Sequence, residues 1–209
     1  MSYGPDQTIQ RRAALMVARD CHDTDLVGWL ALEHPDDDVR REACANLMCP
    51  LPVLLELSAD PATVEWLLAR IHLPTPVMAR IVDVETRRYL LSPEPRMFRR
   101  RLLALAIHDA CPSDRVPALV GHATTGDHAL KVAAAHAVWN APHVKRDDVH
   151  LQLLIGARRS DRSRELVEAI TRGSSARLDW LETQGAHCAM LVADHRRQDR
   201  ARSQRVPRL

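Results

Sequence analysis

Two pairs of prolines, Pro50 with Pro52 and Pro74 with Pro76, lie 24 residues apart and close the same short motif each time. Ahead of the first pair the chain reads His34-Pro35-Asp36-Asp37-Asp38-Val39-Arg40-Arg41-Glu42-Ala43-Cys44-Ala45-Asn46, and Val53 to Leu57 follow it. Ahead of the second it reads Asp60-Pro61-Ala62-Thr63-Val64-Glu65-Trp66-Leu67-Leu68-Ala69-Arg70, and Val77 to Ile81 follow. A period of this length marks an array in which each unit buries its apolar side against its neighbours rather than around one centre. Proline limits what each unit can be. It lacks the amide hydrogen a helix interior needs, and it pushes the preceding residue toward extended geometry. A helix opened near Asp36 therefore has to stop before Pro50.

The unit has a physical logic. Asp36 stands where a side-chain oxygen can cap free amides, and Asp37 and Asp38 place negative charge in the first turn, where the helix dipole favours it. Val39, Ala43, Ala45, Asn46 and Leu47 continue the helix. The x-Pro-x-Pro segment forces an extended corner, and Val53–Leu57 predicts one tight helical turn that is too short to be stable alone. Elsewhere the pattern predicts helices over about 6–19 and from Asp23 or Thr24 to His34. Beyond residue 95 it predicts longer ones over Arg96–Asp109, from Ser113 or Asp114 through Val120, His128–Trp139, Asp147–Ile155, Asp161–Arg172, Ser175–Glu182 and from Ala186 onward. No stretch shows the alternation of a strand.

These residues resemble the leucine-rich repeat variant family, in which an α-helix alternates with a short 3-10 helix along a curved array. The acidic-Pro-acidic start, Val39-Arg40, the Ala-rich helix, Asn46 and the proline corner match that pattern over 34–57. Over 58–81 Val64-Glu65 replaces Val-Arg, and a third, worn copy is read over 82–95, ending at Ser92-Pro93-Glu94-Pro95. A late echo appears at Asn140-Ala141-Pro142-His143-Val144. The wider likeness is to HEAT-type helical repeats. The resemblance implies an all-α, right-handed α-solenoid with a recognition role, and it supplies no catalytic residues. The cysteine cluster carried by some members has no counterpart here. The expected organisation is one helical-repeat domain over 1–195. It comprises an N-terminal cap (1–33), the repeats (34–95) and longer HEAT-like helices (96–195), followed by an Arg-rich tail (196–209).

Charge is distributed unevenly behind a formal net of +2. Residues 31–60 carry seven acids against two bases, whereas 96–101 hold four arginines and no acid, and the last fourteen residues hold six arginines and one aspartate. Only Lys131 and Lys145 among the 29 basic residues are lysines. Arginine suits planar, bidentate contacts to carboxylate or phosphate. Arg96, Arg99 and Arg100 share one helical face at i, i+3, i+4 spacing. With Arg87 and Arg88 on the preceding element they form a candidate basic ridge for an acidic protein surface or phosphates. Glu85 and Glu94 are near enough in sequence to neutralise part of it.

Other chemistry is poorly represented. No P-loop, Gly-x-Gly-x-x-Gly or Gly-x-Ser-x-Gly occurs, and only seven glycines are available. His128, His136, His143 and His150 recur at seven or eight residues, but Pro142 breaks the helix between them and no His-Glu-x-x-His or Cys-x-x-Cys is present. Asp36-Asp37-Asp38 and Asp147-Asp148 are explained as helix starts. Five scattered cysteines point to free thiols in a reducing cytoplasm. No apolar run is long enough to span a bilayer. The expectation is a cytoplasmic, non-catalytic scaffold that binds another protein, without cofactor or metal. The alternative is a nucleic-acid-binding helical-repeat protein, at the extreme a HEAT-like DNA glycosylase. An aromatic share of 3% offers few platforms on which bases can stack.

Overall fold

A computed structural model describes residues 5–157 and 161–205, and among these the chain forms thirteen α-helices and no strand. It divides into two compact units, one of residues 1–91 with 110–112 and one of residues 92–109 with 113–209. The last four residues of the Arg-rich tail lie outside the described residues.

The first unit holds α1 (Pro5–Asp20), α2 (Thr24–Glu33), α3 (Asp37–Ala45), α4 (Leu51–Leu57), α5 (Val64–Leu68) and α6 (Thr75–Leu91). Their boundaries follow from local chemistry. The Asp23 carboxylate accepts from the amides of Asp25 and Leu26 and starts α2, and Asp36 accepts from the amide of Asp38 and starts α3. Pro50 precedes α4 in an extended conformation, and Pro52 sits in its first turn, where the missing amide costs nothing. Helices two apart pack side by side, α1 on α3 and α3 on α5 in one row, α2 on α4 and α4 on α6 in another. Val39, Leu54, Leu67, Val77, Met78 and Ile81 are buried between the rows. Each such side chain contributes roughly 1.5–3 kcal/mol of burial, which makes the apolar seam the main source of stability.

Polar side chains tie successive turns together, and they do so at the sequence period. Asn46 donates through Nδ2 to the carbonyls of Ala18, Arg19 and Cys21, at 3.0, 3.1 and 3.0 Å, where α1 ends. Arg70, 24 residues on, donates to the carbonyls of Cys44 and Asn46, where α3 ends, and through Nε to His72 O at 2.9 Å. Equivalent positions thus satisfy the orphan carbonyls of the preceding row member. At the front of the unit Arg11 donates from Nε to Asp36 at 2.6 Å and also pairs with Asp38. The Arg11 hydrogen bond, helped by backbone amides, holds the Asp36 carboxyl below the usual carboxylate range.

Two expectations are corrected in this unit. Residues 82–91, read as part of a worn third copy, belong to α6, which runs unbroken for 17 residues because no proline follows Pro76 until Pro93. The turn after the first proline corner is a seven-residue α-helix rather than a single tight turn.

The second unit opens on a 3-10 turn (Pro95–Phe98) and continues with α7 (Arg99–Ile107), α8 (Val116–Thr124), α9 (His128–Val138), α10 (Arg146–Leu154), α11 (Asp161–Thr171), α12 (Ser175–Glu182) and α13 (Ala186–Arg205). The expected helix over Arg96–Asp109 starts late because Pro95 holds the first residues in the tighter 3-10 turn. Side-chain caps from Asp127 and Ser174 start α9 and α12, while α8 begins after Arg115 with no side-chain cap instead of at Ser113 or Asp114. Again α8 packs on α10, α9 on α11 and α11 on α13. Leu102, Leu105, Leu119, Leu153, Leu166 and Ile170 are fully buried among them. Lys131 closes the end of α10 by donating from Nζ to the carbonyls of Leu153 and Ile155, both at 2.9 Å. The helix expected from Ala186 onward runs into the Arg-rich tail as α13, and Arg196 is fixed there by Asp179 at 2.6 Å and Glu182 at 2.7 Å.

No helix of the described residues is long and apolar enough to cross a membrane.

Candidate functional site

The five arginines of the predicted ridge fall into both units. Arg87 and Arg88 lie on α6 of the first unit, where Arg87 is exposed and Arg88 is bound at 2.9 Å to Glu85, whose side chain is fully buried. Arg96, Arg99 and Arg100 lie in the second unit and line one groove of about 650 Å³. Met97, Gly126, Asp127, Ala129 and Leu130 complete its walls. Arg96 is in the 3-10 turn rather than on a shared α-helical face, yet it reaches the same space as the two arginines that begin α7.

The electrostatics of this groove run against ordinary helix design. Acidic residues favour the first turn of a helix and cations oppose its dipole. The first turn of α7 contains no acid and carries Arg99, Arg100 and Arg101. Among the described residues none of Arg96, Arg99 and Arg100 has an ion pair. The one carboxylate in the walls, Asp127, accepts from the Leu130 amide as the cap of α9. The groove is therefore electropositive, and Met97, 76% exposed, gives it an apolar rim.

A second constellation in the same unit has no forerunner in the sequence reading. Trp139 follows α9 and donates from Nε1 to Ala169 O at 3.1 Å. Three guanidinium carbons stand over its ring, Arg172 at 4.8 Å, Arg146 at 5.0 Å and Arg177 at 5.5 Å from the centroid. Arg177 also stacks on Trp180 at 4.0 Å, donates to Asp147 at 2.8 Å and donates to His150 Nδ1 at 3.1 Å. Arg172 reaches the ring from a left-handed backbone, φ 50°, uncommon for a residue with a side chain. The four elements concerned are α9, α10, α11 and α12, and the arginines stand up to 38 residues from Trp139 in sequence. The one local hint was Arg172 directly before Gly173-Ser174, a helix stop followed by a cap.

His150 lies at the floor of this cluster, fully buried. An arginine has only protons to offer, so Nδ1 accepts from Arg177 and the ring is neutral with its proton on Nε2. Burial first, and then the charge of Arg177, lowers its pKa from 6.5 to about 4, against weaker opposing pulls from the Ala135 backbone and Asp147. The folded pKa is below the unfolded one, so the unfolded chain binds more protons between the two values. Stability is complete above pH 6.5 and is lost as the pH falls toward about 4, by at most about 3 kcal/mol. His150→Gln keeps an acceptor for Arg177 and removes the titration. Thermal denaturation across this range should therefore show a shallower pH slope for the variant than for the parent, and equal slopes would remove His150 as the cause.

The remaining histidines and the cysteines bring no further reactive cluster together among the described residues. His128 pairs with Glu165 at 2.9 Å, and His136 is exposed. Among the described residues no cluster of three His, Cys, Asp or Glu side chains has the arrangement to hold a metal ion. Cys44 and Cys49 are buried free thiols, and desolvation raises their pKa to about 12 and about 11. They are inert as nucleophiles at neutral pH.

The described residues form an all-α protein with two arginine-rich clusters in its second unit. No protein-family profile, curated protein or solved structure matches the chain.

Proposed function

We propose that this chain is a non-catalytic recognition scaffold that holds an acidic segment of another protein in the groove of Arg96, Arg99 and Arg100. In this reading the helical units continue as a right-handed α-solenoid of leucine-rich-repeat-variant or HEAT type and the setting is cytoplasmic. The observation that carries it is the first turn of α7, where three consecutive arginines oppose the helix dipole beside a groove whose single carboxylate is already used as a cap. Sequences break local rules of this kind where a ligand restores the balance. Carboxylates of an acidic peptide supply that balance, and the exposed Met97 takes an apolar neighbour of the acidic run.

Fluorescence anisotropy with a labelled Asp/Glu-rich peptide pool and a charge-neutral pool tests this. The acidic pool should bind more tightly, weaken as salt is raised, and lose roughly tenfold or more of its affinity in Arg96→Glu/Arg99→Glu/Arg100→Glu. Equal binding of both pools would end the proposal. A low-salt shift of duplex DNA that the triple variant abolishes would hand the groove to nucleic acid instead.

A further inference from the structure

We infer that the Trp139 cluster is a receptor for a single phosphate ester, the side chain of a phosphorylated serine or threonine on a partner protein. Beside the cluster lies a cavity of about 390 Å³ lined by Val144, Lys145, Arg146, Asp147, Asp148 and Arg177. Lys145, Arg146 and Arg177, together with Arg172 on the same indole, give four positive charges against the two carboxylates of Asp147 and Asp148. The surplus of two matches a phosphate monoester, which carries about −1.5 to −2 at neutral pH.

The cations are not equivalent. Arg177 is committed to the scaffold through Asp147, His150 and Trp180. Arg146 and Arg172 are not: among the described residues neither has a carboxylate partner. Both rest on the Trp139 ring, so their guanidinium carbons are no farther apart than the sum of their two distances to it. Like charges gathered this way repel one another, and a stacking ring offsets only a small part of that at exposed positions. A dianion offsets far more, because guanidinium–phosphate pairs are charge-assisted and frequently bidentate. Both side chains are already gathered at the ring, so part of the entropic cost of bringing them together is met before binding. Arg172 fits the same picture, since its left-handed backbone is tolerated at a place where glycine, the next residue, would be easier.

A discrete phosphate is favoured over a nucleic-acid backbone by two features. The guanidinium groups occupy the Trp139 ring, which leaves no free platform for a base. The surplus of only two positive charges balances one phosphate ester and not the run of charges along a strand.

The test uses the full chain and two labelled random peptide pools without Asp or Glu, one with a central phosphoserine and one with serine there. The phosphorylated pool should bind at least roughly tenfold more tightly, and inorganic phosphate in excess should displace it. Arg146→Gln and Arg172→Gly should each abolish the preference. Both variants spare the fold, the first at an exposed residue and the second by placing glycine where the backbone is already left-handed. Arg96→Gln/Arg99→Gln/Arg100→Gln should leave the preference intact, which separates this site from the acidic-peptide groove. Equal binding of the two pools, no binding of the phosphorylated pool, or a preference that survives both cluster variants would overturn the inference. Tighter binding of an oligonucleotide than of the phosphopeptide, lost in the same two variants, would overturn it as well.

Discussion

Arg70→Ala should destabilise the first unit by about 3–5 kcal/mol, the cost of leaving poorly hydrated carbonyls without their charged donor. The side chain is only 7% exposed, and its guanidinium satisfies three carbonyls, those of Cys44, Asn46 and His72. Alanine leaves two of them at the end of α3 without a donor, in a place water reaches poorly. The equivalent Asn46→Ala should cost less, about 2 kcal/mol, because the lost donor is a neutral amide at a half-buried site. Hydrogen exchange under native conditions, read alongside urea denaturation, locates the loss. Amides of α3 and α5 should lose protection in the Arg70 variant, and those of α1 and α3 in the Asn46 variant. A loss below about 1 kcal/mol for Arg70 would mean that water takes over its bonds and that the residue behaves as a surface ion.

Trp139→Ala should cost the second unit about 3–5 kcal/mol, in the range for deleting a large aromatic side chain from a packed site. Three guanidinium groups and the His150 ring, 5.5 Å away, lose the surface they rest on, and the bond to Ala169 O disappears. Trp139→Phe keeps the ring face and loses the N–H, so about 1 kcal/mol is expected. The substitutions should not add. Once Trp139 is gone, Arg146→Gln should relieve repulsion that the indole had moderated, and the double variant should be more stable than the sum of the single losses implies. Denaturation followed by circular dichroism measures all four proteins, and strict additivity would show that Arg146 and Trp139 are neighbours without coupling.

Much of the first unit was legible in the residues. Asp23, Asp36 and the proline pairs act through chemistry confined to a few neighbouring residues, and helix starts of that kind can be read directly. Asn46 and Arg70 are one 24-residue period apart, but their shared use was not legible, because a bond to the previous turn depends on how rows stack. The long α6 was missed since Val77–Leu91 lacks the breaker that the repeat pattern led one to expect. In the second unit, Arg96, Arg99 and Arg100 were found from their spacing, while the facing wall of their groove, Gly126 to Leu130, comes from the start of α9 and could not be read locally. The Trp139 cluster was invisible for the same reason. Its members come from four elements, and no spacing rule links Trp139 to Arg172 or Arg177 before α9, α11 and α12 are packed.

Asn46 and Arg70 both grip carbonyls that precede them in the chain. During synthesis the anchor for each new segment has therefore already left the ribosome when the gripping side chain emerges. These two bonds can therefore form in order from the amino end, each as its own side chain emerges.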